Sequence, residues 1–151
     1  MKKNMIIDRH PSDSSEQQLA HKEILSLLNE KYQFNLESKK VLINDTLFQI
    51  DGYSENPPIL CEIYSRIGRM KVAQHNKIGK DILKMLLIEK MQNKTFRKII
   101  AFADEEAAKS FSGGESWYSK LKDNFNIEIL VIDIPTELKE SLLLAQKRQY
   151  R

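Results

Sequence analysis

Four short runs of β-forming residues, the later ones separated by long stretches of helical periodicity, most limit the folds open to this chain. The runs cover residues 46–54, 59–65, 98–103 and 127–132. Val, Ile, Phe and Tyr dominate them, and turn residues bound them. Residues 40–43 precede the first run and are followed by Asn44-Asp45, a pair that tolerates the left-handed backbone of a tight turn. Glu55-Asn-Pro-Pro58 then links the runs at 46–54 and 59–65, which predicts a hairpin, and Gly68 ends the second of them. Over 16–32, Leu19, Ala20, Ile24, Leu27 and Leu28 recur at helical spacing behind cap candidates Ser12–Ser15. A second helix is predicted over 70–92, with Met70, Ala73, Ile78, Ile82, Met85, Leu86 and Ile88 on one broad side. Asp104 is placed to cap a third helix that Gly113-Gly114 breaks, and 116–125 is a further helical piece. The run at 127–132 is apolar enough to be buried on both faces. Pro135 opens a last helix through 149.

Strands that meander first and then alternate with helices predict a mixed β-sheet flanked by helices, an α/β fold of three layers. The length of 151 residues fits one such domain, expected over 13–151, with 1–12 as a flexible lead-in. There is no internal repeat or linker. One cysteine excludes a disulfide framework and a Cys-rich zinc site, and suits a reducing compartment. The opening MKKNMIIDRHPSD has only a three-residue apolar run, too short for a signal peptide, and no stretch approaches the ~20 apolar residues of a membrane helix. The expectation is a cytoplasmic protein without a membrane partner.

Charge is uneven rather than large. The net value is +3, yet ten basic residues lie between Arg66 and Lys98 against two acids, Asp81 and Glu89. Such a segment is compatible with a phosphate-facing surface, and equally with a solvated lysine-rich helix.

Acids interrupt the strands. Asp51 follows Ile50 in one strand and Glu62 lies between Cys61 and Ile63 in the next. On neighbouring strands the two carboxylates converge and repel unless a cation separates them or one is protonated. Hard divalent ions take such ligands and keep waters for a phosphate. The same residues also allow a simpler reading, with Asp51-Gly52 as a turn and Glu62 on an exposed face. On the following helix Gln74 and Asp81 fall within the buried arc and Lys77 at its edge. Buried polar groups require partners. Lys77 can reach a carboxylate or phosphate, or snorkel to water, and Asp81 can pair with Lys77 or Lys84.

Taken together, Asp51, Glu62 on the next strand, and a helix bearing Gln74 and Lys77 resemble the PD-(D/E)xK nuclease superfamily. The element order over 15–103 is similar to that superfamily's restriction-endonuclease-like core. The resemblance implies a Mg²⁺- or Mn²⁺-dependent endonuclease that hydrolyses phosphodiester bonds of DNA, in restriction, repair or anti-phage systems. Asp51 and Glu62 would hold the metal, with Glu16, or alternatively Glu23, completing the site from the first helix. The lysine two residues beyond the Glu is replaced by Tyr64. Lys77 on the following helix takes that role, Lys71 being second choice, with Gln74 beside it. Arg66, Arg69 and Lys71 would seat the DNA backbone. A chain with so little beyond the core would act as a homodimer or as a subunit of a larger complex. The Tyr64 substitution leaves open an inactive module that binds nucleic acid or a protein partner.

Other features carry less. His10, His21 and His75 are scattered, and Ser112–Ser116 lacks the Lys-Ser/Thr of a P-loop. Trp117 and Tyr118 are expected to pack a loop onto the core, and Cys61 to be a small core residue.

Overall fold

The computed structural model describes residues 15–113 and 116–149. The 1–12 lead-in, the cap candidates Ser12–Ser14, Gly114 in the predicted helix break, and the last two residues of the tail lie outside these. The elements are α1 (Ser15–Tyr32), β1 (Glu37–Ile43), β2 (Thr46–Ser54), β3 (Ile59–Tyr64), α2 (Val72–Gln92), β4 (Arg97–Phe102), α3 (Glu105–Ser112), a 3-10 turn (Trp117–Lys120), α4 (Leu121–Asn124), β5 (Ile127–Val131) and α5 (Thr136–Gln149).

The five strands form one mixed sheet in chain order. β1, β2 and β3 are an antiparallel meander, while β4 and β5 add parallel to β3. Asn44 and Asp45 both have positive φ, 46° and 69°, the two-residue turn whose twist suits a tight hairpin. Asp104 caps α3 by accepting the Ala107 amide at 3.1 Å.

Both crossovers, β3–α2–β4 and β4–α3–β5, step the same way across the sheet. Crossovers of one hand therefore put α2 and α3 on the same face. Leu60, Ile100 and Phe102 pack there with Ile78, Ile82 and Met85 of α2 and Phe111 of α3. The other face, with Cys61, Ile63 and Ile99, is covered by Ile24 and Leu28 of α1 and Leu142 of α5. The expected three-layer α/β domain is thus present, with β3 at its centre and all six β3 residues buried.

Some local expectations differ. The run at 127–132, expected to be buried on both faces, is buried only at Ile127 and Ile132, with 128–131 half-exposed. β5 is an edge strand, and strand order is a tertiary property that a run of apolar residues does not encode. Leu19 is 54% exposed, and Ala73 faces water in the first turn of α2. The helical piece at 116–125 divides into the 3-10 turn and one turn of α4.

Candidate functional site

Asp51-Gly52 is not a turn but the interior of β2, and the strand is irregular there. Along β1 the pairing steps from Glu37 to Lys39 while on β2 it steps from Tyr53 to Ile50. One extra residue on β2 makes this a bulge, which re-aims the side chains beside it. Phe48 and Ile50 before the bulge and Tyr53 after it all pack on the α2 side, so the alternation changes phase at Asp51-Gly52. On the opposite side Leu25 of α1 fills the space a side chain on Gly52 would take, its Cδ1 3.0 Å from where a Cβ would stand. That close approach brings His21, one turn earlier, to 3.9 Å from Asp51 Oδ2.

The β2–β3 pairing runs from Ser54↔Ile59 to Gly52↔Cys61. At the next position carboxylates bond the backbone: the Asp51 amide donates to Glu62 Oε2 at 3.2 Å, and the Ile63 amide to Asp51 Oδ2 at 2.9 Å. The two acids are thus locked to each other's strands where regular pairing gives way. Glu62, between Leu60 and Tyr64, faces α2 from the central strand and is 5% exposed.

Lysines from α2 meet this pair. Lys84 Nζ donates to Glu62 Oε1 at 3.1 Å and to the Gln49 carbonyl at 2.8 Å, and lies 3.8 Å from Asp81 Oδ1. Lys77 Nζ donates to Asp81 Oδ2 at 3.4 Å. Lys77, Asp81 and Lys84, at i, i+4 and i+7, form one stripe of the helix.

Three carboxyls, Asp51, Glu62 and Asp81, therefore lie close together with two ammonium groups. Burial, with the charges of Asp51 and Asp81, pushes the Glu62 carboxyl up to about 8 despite the opposing charge and hydrogen bond of Lys84. Burial also raises Asp81, against the pull of Lys77 and Lys84. For Lys77 burial opposes the charge, but Asp81, then Asp51 and Glu62, outweigh it and raise its pKa. Lys77 therefore remains protonated at neutral pH and acts as a cation, not as a base.

The structure brings Asp51 and Glu62 together, with Lys77 one carboxylate away. Gln74 closes the first turn of α2, its Oε1 accepting the Lys71 amide at 2.6 Å. Glu16 pairs with Arg148 of α5 at 2.5 Å, a bond that lowers its pKa. Glu23 is half-buried on α1 and forms no group of metal-ligating side chains with Asp51 and Glu62. The first-helix residue nearest the acids is instead His21. Arg69 and Lys71 are exposed, whereas Arg66 bonds Gln149 Oε1 at 3.3 Å. The loop carrying them is held firmly: the Ile67 amide donates to Gln146 Oε1 at 2.7 Å and the Gly68 amide to Asp104 Oδ2 at 2.9 Å. Tyr64, two residues beyond Glu62, is buried against Phe102 with ring centroids 5.4 Å apart. Asp81 meets both Lys77 and Lys84, as its spacing on the helix predicts, whereas the bond of Lys84 to Glu62 and the approach of His21 to Asp51 were not expected. The i, i+4, i+7 spacing of Lys77, Asp81 and Lys84 was the available signal for Lys84, and His21 had none.

A bound divalent cation needs several oxygen ligands gathered at one point. Among the described residues no group of three His, Cys, Asp or Glu is arranged to hold a metal ion. The adjacent pair Asp51 and Glu62, however, is an all-oxygen set of the size with which Mg²⁺ is held alongside waters and a phosphate. Mn²⁺ favours similar ligands. Burial first, and then the charges of Asp51 and Asp81, disfavour the ionised Glu62 carboxyl, and a bound cation would offset both, so the residues fit.

This strain has a pH signature. An unfolded Glu62 ionises near 4.5, whereas the folded carboxyl keeps its proton to about 8. Between these values the folded state binds the additional proton, so stability falls as pH rises. In EDTA, the Tm of the wild type is expected to drop relative to Glu62→Gln from pH 4.5 to pH 8. Parallel Tm curves for the two proteins would show that Glu62 ionises normally.

No helix among the described residues is long and apolar enough to cross a membrane. No protein-family model, curated protein or solved structure matches the chain.

Proposed function

We propose that this chain is a Mg²⁺- or Mn²⁺-dependent nuclease of PD-(D/E)xK type, hydrolysing phosphodiester bonds of DNA. One observation carries the reading: two carboxylates on neighbouring strands, one buried in the central strand, interlocked at a bulge and met by a lysine from the next helix. Asp51 and Glu62 would hold the ion. When bound, such an ion supplies a water of lowered pKa and neutralises charge developing on the phosphoryl oxygens.

The chain's own residues account for the rest. Lys84 fixes the orientation of Glu62 through Oε1 and places positive charge beside it. It thereby occupies in space the role that Tyr64 cannot fill in sequence. Lys77, held charged by Asp81, is the more exposed of the two, its side chain 56% exposed, and can reach outward to a phosphate. Positive charge aimed at a developing oxyanion in a recessed site is worth several kcal/mol. Arg69 and Lys71 offer exposed charges for neighbouring phosphates, contacts that position the backbone without reading sequence. Restriction, repair or anti-phage work, as a homodimer or a subunit, is the setting the resemblance implies.

The lysines give a ranked test. Lys84→Ala is expected to lose about 10²-fold or more in cleavage rate, Lys77→Ala less, and Lys71→Ala least. Single-turnover rates at saturating protein measure this directly. A larger loss in Lys71→Ala than in Lys84→Ala would move the catalytic cation to the start of α2.

A second reading is a catalytically inactive nuclease-fold module that binds nucleic acid or a protein partner. The burial of Tyr64 at the usual lysine position favours it. A pure binder would retain its entire function in Glu62→Gln.

A further inference from the structure

The far flank of α2 carries an aromatic stack that the site above does not use. Trp117 is 66% exposed, so the expectation that it packs onto the core is met only by its neighbour. Its ring stacks on Tyr118, with centroids 4.2 Å apart and planes 27° from parallel. Tyr118 stacks on His75 at 6.1 Å, and His75 on the buried Phe111 at 6.1 Å. The Tyr118 hydroxyl is also hydrogen-bonded to Asn76 Oδ1. Gly79 supplies the room, since a Cβ there would lie 2.5 Å from Tyr118 Cε1. Glycine inside a helix costs stability, so this position favours the seating of Tyr118 over the helix itself. The product is a rigid four-ring column whose outermost ring turns a large apolar face to water.

The surface between this column and the acids carries lysines and exposed apolar side chains. At 100° per residue, the arc of α2 from Gly79 round to Asp81 carries the exposed Val72, Leu83 and Leu87 nearest the column and then Lys80, Lys84 and Lys77, with no carboxylate short of Asp81. A helix is about 10 Å across, so a polyanion held at Asp51 and Glu62 crosses these lysines and meets Trp117 within a short span. A basic path ending on a fixed aromatic face is the arrangement that receives single-stranded nucleic acid: phosphates follow the charges and an unpaired base stacks on the ring. Bases within a duplex are already stacked and have no face to offer.

We propose that Trp117 is a base-stacking platform for single-stranded DNA, holding a nucleotide on the far side of α2 from the Asp51–Glu62 site. This rests on the nuclease reading and narrows its substrate to DNA with an unpaired strand. Trp117 is the only tryptophan, so its fluorescence reports the contact without ambiguity. Binding is measured in EDTA at low salt, with oligothymidylate of roughly 12 nucleotides and a duplex of equal length. Oligothymidylate should quench the wild type. Trp117→Ala should weaken single-strand binding about fivefold or more and leave duplex affinity within about twofold. Trp117→Phe should retain most of the affinity. Gly79→Ala, which displaces Tyr118, should behave like Trp117→Ala. Unchanged single-strand affinity in Trp117→Ala, or no quenching at saturation, overturns the proposal. So does quenching by polyglutamate but not by oligothymidylate, which would make the platform a docking point for an acidic protein segment. Because no metal is present, the platform can stand where cleavage fails. It can equally fall where cleavage is found, so the two readings fail separately.

Discussion

Glu62→Gln and Asp51→Asn should each lose at least about 10³-fold in metal-dependent cleavage while folding normally and still binding DNA. The size follows from the chemistry. Either change removes a carboxylate from a two-carboxylate site, and several kcal/mol of charge stabilisation corresponds to tenfold per 1.36 kcal/mol. Normal folding follows from the geometry. In Glu62→Gln the single amide oxygen can keep the Asp51 amide now on Oε2 at 3.2 Å, while Lys84 gives up its bond to Oε1 and keeps the Gln49 carbonyl and Asp81 as partners. The substitution also puts a side chain that carries no charge at any pH in place of a carboxyl that burial, with the charges of Asp51 and Asp81, keeps from ionising. In Asp51→Asn the side-chain oxygen can still accept the Ile63 amide. Loss of activity with retained or raised Tm is therefore the expected pairing, and circular dichroism with single-turnover kinetics reads both. Full activity in either variant would remove the carboxylate pair from the mechanism.

The largest effect on stability is expected from Lys98→Ala, away from the site. Lys98 is 6% exposed on β4, and its Nζ donates to Glu89 Oε2 at 2.8 Å and to the Phe96 carbonyl at 3.3 Å. The same Glu89 oxygen accepts the Phe96 amide at 2.8 Å. Near it, α2 ends at Asn93 in the left-handed conformation, φ 49°, with the Lys94 amide returning to the Glu89 carbonyl at 3.1 Å. One carboxylate thus fixes the direction in which the chain leaves α2 and enters β4. Removing one member of a buried pair strands the other charge and costs about 3–5 kcal/mol, roughly a 10 °C drop in Tm for a domain of this size. Glu89→Ala should be at least as damaging, because the Phe96 amide loses its acceptor too. A loss under about 1 kcal/mol, measured by urea unfolding, would mean the stranded charge reaches water.

These two sites differ in how far the sequence exposed them. Periodicity located the helices and strands because burial on one face repeats every 3.6 or 2 residues, and the alternation of elements dictated a layered α/β fold. The partial exposure of β5 escaped that reading, since the edge of a sheet is set by strand order. Asp51 and Glu62 stood out because acids are rare where strands are buried. The bulge that lets them interlock did not, because it is a mismatch between β1 and β2 that neither strand records alone. Lys84 was one of many lysines on α2 until Glu62 chose it. Lys98 and Glu89 likewise read as members of a basic segment, and only their burial makes them structural. The exposure of Trp117 depends on Gly79 making room for Tyr118 across 39 residues of chain, a relation no local pattern carries.

We propose the Asp51–Glu62 pair as a metal-dependent phosphodiesterase site. Incubating wild type and Glu62→Gln, prepared identically, with plasmid, linear and single-stranded DNA in Mg²⁺, Mn²⁺ or EDTA tests it most directly. Cleavage by the wild type with metal, abolished by EDTA and absent from Glu62→Gln, is the predicted result. Equal cutting by both proteins, or no cutting by the wild type with either metal on any of the three substrates, would contradict it.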